Sequence, residues 1–174
     1  MLLDYLQLVM THGVGSTLLD RLLERFGSAR EVLSASPDSL SEVEGVGVGL
    51  IRNLRSQEFR EQAEQTIATC AKLNVDILLP QDSRFPRLLK EIPDPPSVLF
   101  VRGGFEQRDA LSVAIVGTRT ASQYGRSQAE RFARVLARSG ITIVSGLARG
   151  IDAAAHEGAL EVDEGGRTIG VLSS

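Results

Sequence analysis

Cysteine, tryptophan and long apolar runs are scarce or missing in this sequence. Its 174 residues include one cysteine, Cys70, and no tryptophan, and only 5% are aromatic. A lone cysteine excludes a disulfide within the chain and a cysteine-based zinc site. No stretch reaches the roughly 18 uninterrupted apolar residues of a membrane span, and Asp4 stands where a signal peptide would be basic. We therefore expect a cytoplasmic protein with an aliphatic core.

The composition is otherwise that of a globular protein. Apolar residues make up 43% of the chain and charged residues 24%, which excludes a disordered, collagen-like or linker sequence. The length suits one ordinary domain or two small ones.

Charge is distributed unevenly along the chain, although its net value is only -3. Residues 1–80 hold 7 basic and 11 acidic residues, whereas residues 119–149 hold six arginines and one glutamate. A basic stretch in an acidic chain predicts an anion-binding face, with a solvated helix surface as the alternative.

Residues 1–75 form the first predicted domain, and their pattern is helical. Leucines recur at helical spacing over 18–26, and one long helix is predicted over 50–73. The glycine–valine–glycine turns 13–15 and 45–47 resemble a tandem helix-hairpin-helix, whose backbone N–H groups can hold phosphates. The acidic charge favours the alternative, a SAM-like helical module that packs on a partner or on the next domain.

Residues 76–111 form a predicted connector. Two strand-like apolar runs, 76–80 and 97–101, flank an irregular stretch that contains four prolines. The apolar runs indicate strands, so we expect this segment to pack on the following sheet as an extension.

Residues 112–174 form the second predicted domain, an α/β fold. Strands alternate with helices in the order β-loop-α-β-loop-α-β, which predicts a Rossmann-like, doubly wound parallel sheet. Ligands then bind at the carboxyl ends of the strands, on the two glycine-rich loops. The strands are predicted at 112–116, 141–144 and 168–172, and the helices at 125–139 and 151–160.

The helix over 125–139 has two predicted faces. One face is apolar and the other is basic. The apolar strand 112–116 that precedes this helix is predicted to be buried on both of its faces, as in a parallel sheet. The apolar stripe is Ala129, Phe132, Ala133 and Leu136, and the basic face is Arg126, Arg131, Arg134 and Arg138.

Motifs for common chemistries are missing from these loops. Residues 117–125 do not match the dinucleotide fingerprint, and no phosphate-binding P-loop occurs. Ser145, Asp152 and His156 suggest a hydrolase triad, but Ile143 replaces the first glycine of the nucleophile elbow. Asp152 and His156 share one helix face, yet two ligands make no metal site. A structural pair, with Asp152 capping the helix and orienting His156, is the favoured interpretation.

The two loops nevertheless offer phosphate-binding chemistry. Each combines glycines and hydroxyl side chains with one arginine, Arg119 or Arg149, and each leads into a helix N-terminus. Backbone N–H groups and a guanidinium suit a phosphate. Two adjacent sites suit either a polynucleotide backbone or a nucleotide with several phosphates.

These motifs closely resemble the DprA/Smf family of DNA-processing proteins. The runs Val-Gly-Thr-Arg at 116–119 and Ile-Val-Ser-Gly-Leu-Ala-Arg-Gly-Ile-Asp at 143–152 carry most of the resemblance. Residues 124–125 and 155–160, the connector runs 85–89 and 94–100, and the helical module extend it over nearly the whole chain.

The resemblance implies a protein that binds single-stranded DNA and helps to load the RecA recombinase onto incoming DNA during natural transformation. It also implies no catalytic activity, so we expect no enzyme and no cofactor. The backbone-binding positions that it implies, with Arg149 added from the loop chemistry, are Gly117, Thr118, Arg119, Ser145, Gly146, Ala148, Arg149, Gly150 and Asp152.

The sheet of this family continues beyond a third strand, whereas this chain stops at Ser174. We therefore expect the N-terminal half of a sheet, with 168–174 as an open edge that either pairs with another copy or leaves the last residues disordered, and a homo-oligomer in the longer protein. Two alternatives remain: a Rossmann-like enzyme or sensor for a small nucleoside phosphate, and an architectural module that binds neither ligand. The basic face of helix 125–139 discriminates DNA binding from nucleotide binding, because only a polymer uses charge beyond the loops. Failure to bind either ligand would support the architectural module.

Overall fold

The computed structural model describes residues 1–163 and 165–172, and the chain divides into two compact units, 1–104 and 105–174. As predicted, a helical N-terminal part is followed by a parallel sheet with helices. The helices are α1 (Leu2–Met10), α2 (Ser16–Phe26), α3 (Ala29–Ser34), α4 (Pro37–Ser41), α5 (Val48–Leu54), α6 (Gln57–Leu73), α7 (Arg87–Lys90), α8 (Gln123–Arg138) and α9 (Ile151–Leu160), with a 3-10 turn at Gln107–Ala110. The strands are β1 (Val75–Leu78), β2 (Leu99–Arg102), β3 (Ser112–Ala114), β4 (Thr142–Ser145) and β5 (Thr168–Gly170).

The helical part of unit 1 contains one helix–turn–helix arrangement twice, at an offset of 32 residues. Gly13 and Gly45 both have positive φ, +100° and +95°. Gly13 faces Leu50 of α5, and Gly45 faces Leu18 of α2, so each turn packs on the helix that follows the other turn. The two glycine turns therefore repeat one backbone geometry, and whether they hold phosphates or only pack against helices stays a prediction. The equivalent N–H to carbonyl bonds are Thr11 to Leu8 and Val43 to Leu40, Val14 to Thr11 and Val46 to Val43, and Leu19 to Gly15 and Ile51 to Gly47.

The single helix predicted over 50–73 is wrong, because the chain forms α5 and α6 there. Ser56 lies between them with extended backbone (φ -72°, ψ 132°), and its hydroxyl oxygen accepts the N–H of Glu58. A serine in this position satisfies an N–H that lacks a partner in the first turn of a helix. The capping serine therefore starts a new helix.

Aliphatic side chains fill the interior of the helical part. Leu8, Leu22 and Val32 are completely buried, and no aromatic residue other than the half-polar Tyr5 is among the described buried residues of this cluster. The core is aliphatic, as the scarcity of aromatic residues predicted. None of the helices in the described ranges is both long and apolar enough to cross a membrane.

Strands β1 and β2 form an antiparallel pair, from Val75 opposite Arg102 to Leu78 opposite Leu99. Because β1 follows α6 directly, residues 76–104 of the predicted connector lie within unit 1. The expected packing of the connector on the parallel sheet stays a prediction.

Unit 2 contains the predicted parallel sheet, in the order β3-β4-β5. Strand β4 is central and mostly buried, whereas every residue of β3 is exposed. The prediction of a strand over 112–116 buried on both faces is therefore wrong, since β3 is shorter and forms an edge of the described sheet. Strand β5 ends at Gly170 and forms the other edge. Residues 173–174 of the expected open edge lie outside the described residues, and its pairing with another copy stays a prediction.

The face of α8 that packs inward is lined by alanines. Ala133 and Ala137 form a core with Ile143 and two alanines of α9, whereas Phe132, predicted in the apolar stripe, is 61% exposed. Helices α8 and α9 approach so closely that a Cβ at Gly158 would lie 2.8 Å from the carbonyl carbon of Glu130. Small side chains permit this approach, and a phenylalanine at the contact would prevent it.

Candidate functional site

Two loops leave the neighbouring strands β3 and β4 at their carboxyl ends, which lie along the same side of the parallel sheet. The first loop, residues 115–122, follows β3, and the second loop, residues 146–150, follows β4. The first loop leads into α8, where the hydroxyl oxygen of Ser122 accepts the N–H of Gly125 as an N-cap. The second loop leads into α9. We call this pair of loops the two-loop edge.

Asp152 joins the two loops through its carboxylate. Its Oδ1 accepts the N–H of Gly117 in the first loop at 3.3 Å, and its Oδ2 accepts the N–H of Gly146 in the second loop at 3.2 Å. The residue is only 6% exposed. The carboxylate is therefore bound to backbone of both loops, and the expected capping of α9 by its side chain is not observed among the described contacts.

Three further contacts hold the loops together. The hydroxyl of buried Ser145 donates to the carbonyl of Ile115 at 2.6 Å, and the N–H of Ile151 donates to the carbonyl of Thr118 at 3.3 Å. Gly150 has a φ of +91°, and a Cβ there would lie 2.8 Å from the carbonyl oxygen of Arg119 and closer still to that of Thr118. Only glycine allows this approach, so the two loops form one packed assembly.

Leu147 turns the second loop with a left-handed backbone, at a φ of +56°. Few residues other than glycine, asparagine and aspartate adopt this conformation, and the surrounding contacts must compensate its strain. Its side chain lies over Gly170 at the end of β5, where a Cβ would be 2.5 Å from Leu147 Cδ1. The second loop therefore packs against the first loop on one side and against the end of β5 on the other.

Two arginines project from this assembly without an anionic partner. Arg119 and Arg149 are exposed, and within the described ranges neither makes an ion pair or a side-chain hydrogen bond. In the same described part of the chain, no acceptor pairs with the backbone N–H groups of Thr118, Leu147 and Ala148. Guanidinium groups beside unpaired N–H groups attract anions.

The predicted site residues fall into two groups, those that hold the two loops together and those that are exposed to solvent. Ser145, Gly146, Gly150 and Asp152 are used in contacts between the loops, and so is the N–H of Gly117. Thr118, Arg119 and Arg149 are exposed, and Ala148 is half-buried. The hydroxyl of Thr118 accepts the N–H of Thr120 at 3.2 Å, which shapes the first loop.

His156 is buried on α9 and is bonded to β5. Its Nδ1 is 2.6 Å from Oγ1 of Thr168, which itself donates to the carbonyl of Ile143 at 2.8 Å. The hydroxyl is therefore the acceptor toward His156, and Nδ1 carries the proton. Burial lowers the pKa of His156, and the carboxylate of Asp152 opposes that shift. Ser145, Asp152 and His156 are each bonded elsewhere, so they form no triad.

The basic face of α8 contains three available charges instead of four. Arg134 is ion-paired with Glu130 and with Glu161 of α9, which fastens the two helices. Arg126, Arg131 and Arg138 are exposed, and no carboxylate pairs with them among the residues described.

One half-buried ionic cluster was not found from the sequence. Asp109 accepts hydrogen bonds from Arg167, from Thr142 at 2.9 Å and from the N–H of Glu106 at 2.7 Å. The Arg167 guanidinium lowers the pKa of Asp109 to about 2. An aspartate and an arginine 58 residues apart leave no local pattern, so only the fold reveals this pair. It joins the 3-10 turn to β4 and β5.

Metal binding has no support in the described residues, which contain no cluster of three or more His, Cys, Asp or Glu suited to an ion.

Comparison with known proteins gives one consistent result. A family model described as DNA recombination-mediator protein A matches residues 76–174. The chain is 40% identical over 166 residues to Protein Smf of Synechocystis, covering 93% of this chain and 41% of that protein. It is 41% identical over 93 residues to DNA processing protein DprA of Streptococcus pneumoniae, covering 53% of this chain and 32% of that protein.

A solved structure supports the same relationship. The X-ray structure of DNA processing protein A from Streptococcus pneumoniae superposes with a TM-score of 0.62 and 28% sequence identity, covering 97% of this chain and 57% of that chain. The chain thus spans about two fifths of the curated Synechocystis relative and just over half of the solved chain.

Proposed function

Since the chain belongs to the DNA recombination-mediator protein A family, we propose that its two-loop edge binds the phosphate backbone of single-stranded DNA. The observation that carries this proposal is the pair of exposed guanidinium groups without a carboxylate partner in the described ranges, Arg119 and Arg149, on loops locked side by side. A guanidinium can form two parallel hydrogen bonds with a phosphate.

The unpaired backbone groups complete the proposed phosphate site. The N–H groups of Gly117 and Gly146 are already bonded to Asp152. A phosphate therefore meets the next ones along each loop, at Thr118 in the first loop and at Leu147 and Ala148 in the second. We infer that consecutive phosphates of one strand occupy the two loops.

Charge beyond the loops favours a polymer over a mononucleotide. The exposed arginines of α8 follow the first loop along the helix that it enters, and a mononucleotide held in the loops would leave them unused. Long-range attraction by several arginines is characteristic of nucleic-acid binding. A flexible single strand fits two narrow loop sites better than a rigid duplex.

The wider role of the longer protein is proposed on the family resemblance. We propose that it delivers single-stranded DNA to the RecA recombinase during natural transformation, that it works as a homo-oligomer in the cytoplasm, and that it catalyses no reaction. The name of its Streptococcus pneumoniae relative, DNA processing protein DprA, agrees with a part in DNA handling.

A titration tests the binding proposal. Fluorescence anisotropy is measured with a single strand, a duplex of equal length and a nucleoside triphosphate, each at two salt concentrations. We expect the single strand to bind most tightly, with a log–log salt slope of about -0.7 per phosphate neutralised. Tighter binding of the duplex refutes the preference, and binding of the triphosphate without binding of either DNA supports the nucleotide enzyme or sensor instead.

A further inference from the structure

We propose that Asp152 is a positioning residue that sets the spacing of the two phosphate-binding loops and makes no contact with DNA. The inference rests on the proposed function of the two-loop edge. It changes the role of a residue that the family resemblance placed among the DNA-binding positions.

The geometry of one carboxylate carries this inference. Its two oxygens are bonded to different loops, Oδ1 to the N–H of Gly117 and Oδ2 to the N–H of Gly146, at 3.3 and 3.2 Å. Asp152 is the second residue of α9, and the preceding N–H, of Ile151, is bonded to the first loop as well. The rigid carboxylate therefore fixes the separation of the two glycine amides.

Hydrogen-bond chemistry excludes a direct phosphate contact. An ionised carboxylate and a phosphodiester are both acceptors without a proton to donate, so they form no hydrogen bond and repel each other. Asp152 is also buried, with only 6% of its surface exposed. A buried negative charge next to an anion site weakens binding unless it performs another task, and the task observed here is the orientation of both loops.

The orientation reaches the groups proposed to bind phosphate. Each glycine N–H that Asp152 accepts belongs to the residue immediately before an unpaired N–H, Gly117 before Thr118 and Gly146 before Leu147. Fixing the first peptide plane restricts the direction of the second. Asp152 therefore orients the backbone N–H groups that are proposed to bind phosphate, without contacting the phosphate itself.

Asp152→Asn gives opposite results for the two roles. Asparagine keeps one acceptor oxygen but turns an NH₂ toward the other glycine N–H, which releases one loop. We expect single-stranded DNA affinity to fall about three- to tenfold, the worth of one hydrogen bond, with an unchanged salt slope because both arginines remain. If Asp152 contributes only its negative charge, affinity rises. Unchanged or tighter binding therefore overturns the proposal.

A matched control removes a negative charge from the same helix without breaking a hydrogen bond to either loop. Glu157 lies on the same helix, is exposed, and makes no side-chain hydrogen bond or ion pair in the described part of the chain. Glu157→Gln should leave affinity unchanged or raise it slightly. All affinities are measured at a temperature at which circular dichroism shows each variant fully folded, so that loss of stability is not mistaken for loss of binding.

A second variant keeps the proposal testable if Asp152→Asn melts too early. Asp152→Glu retains the charge and both acceptors but lengthens the side chain, and we expect a loss smaller than that of Asp152→Ala at an unchanged salt slope. Equal losses for Glu and Ala overturn the positioning role. A wild-type chain that binds no single-stranded DNA refutes the proposed function and this inference together, whereas normal binding by Asp152→Asn refutes only the inference.

Discussion

Gly150→Ala tests whether close packing of the two loops creates the site. Gly150 lies at the end of the second loop with φ +91° and ψ -122°, a conformation nearly restricted to glycine. An alanine Cβ would lie 2.8 Å from the carbonyl oxygen of Arg119 and closer still to that of Thr118. Both atoms belong to backbone, so no side-chain rotation relieves the clash, and the loops must move apart.

The expected decrease in the free energy of unfolding has two sources, backbone strain at residue 150 and the hydrogen bonds lost when the loops separate. Forcing a residue with a side chain into this backbone region costs about 1–3 kcal/mol. Separation of the loops stretches two bonds that are already long, from Ile151 N–H to Thr118 and from Gly117 N–H to Asp152, both 3.3 Å. Their loss adds about 1 kcal/mol each. We therefore expect Gly150→Ala to lower the stability of unit 2 by about 3–5 kcal/mol.

Gly140→Ala is a control that separates backbone strain from the clash. Gly140 also has positive φ, +79°, but a Cβ there would meet no described atom within 4 Å. Its loss should be about 1 kcal/mol, because left-handed strain of about 1–2 kcal/mol is partly offset by the reduced entropy of the unfolded chain.

Urea and thermal unfolding, followed by DNA titration, measure the outcome. For a unit of this size, a loss of 3–5 kcal/mol lowers the melting temperature by roughly 15 °C or more, and the folded fraction that remains in the cold should bind single-stranded DNA at least tenfold more weakly. If Gly150→Ala and Gly140→Ala differ by less than about 1 kcal/mol, close packing at Gly150 does not hold the two loops together.

Three further predictions concern charged and titratable groups. Arg119→Ala should weaken single-stranded DNA binding by about 1–3 kcal/mol and make the log–log salt slope shallower by about 0.7; Arg30→Ala, an exposed arginine on α3, should change neither, and early melting with normal binding would show that Arg119 is structural. Burial lowers the pKa of His156, so as the pH falls through about 6.5 the unfolded chain binds a proton at this histidine before the folded unit does. The free energy of unfolding should therefore be unaffected above about pH 7 and decrease toward about pH 5. Urea unfolding of His156→Gln should not show this decrease. Arg167 lowers the pKa of Asp109 to about 2, so the ionised Asp109 stabilises the folded unit above about pH 4, and this contribution is lost as the pH falls toward about 2. Asp109→Asn should lower the free energy of unfolding by about 2 kcal/mol at pH 7 and weaken the pH dependence of the melting temperature in that acid range. An unchanged melting temperature at pH 7 would contradict the role of the pair.

The features predictable from sequence were those with a local cause. Alternation of apolar runs with helical patterns predicted the order of strands and helices in unit 2, and parallel pairing then required that the two glycine-rich loops emerge at one edge. The hairpin turns of unit 1 were equally local, since Gly13 and Gly45 each need a positive φ. Ser56 had a local signal too, but the apolar periodicity on both sides of it suggested one helix.

The features that sequence could not predict depend on distant contacts. Phe132 is more hydrophobic than any alanine of α8, so periodicity alone places it inside. The close approach of α8 to α9 at Gly158 admits only small side chains and leaves Phe132 on the surface. The inward direction of Ser145 and Asp152 depends in the same way on carbonyl and N–H groups 30 and 35 residues away.

The glycines of the two loops illustrate why a motif can indicate the right site for an incomplete reason. In the sequence they suggested backbone that wraps a phosphate. In the structure, a Cβ at Gly117 would lie 2.7 Å from the side chain of Ile151, and one at Gly146 would lie 2.8 Å from Oδ2 of Asp152. Gly117 and Gly150 are required because each packs against residues that follow or form the other loop, and Gly146 is required because its own loop closes on the Asp152 carboxylate. Phosphate chemistry is left to Arg119, Arg149 and the unpaired N–H groups. Substitution of a glycine should therefore reduce stability and DNA binding together, whereas substitution of either arginine should reduce binding alone.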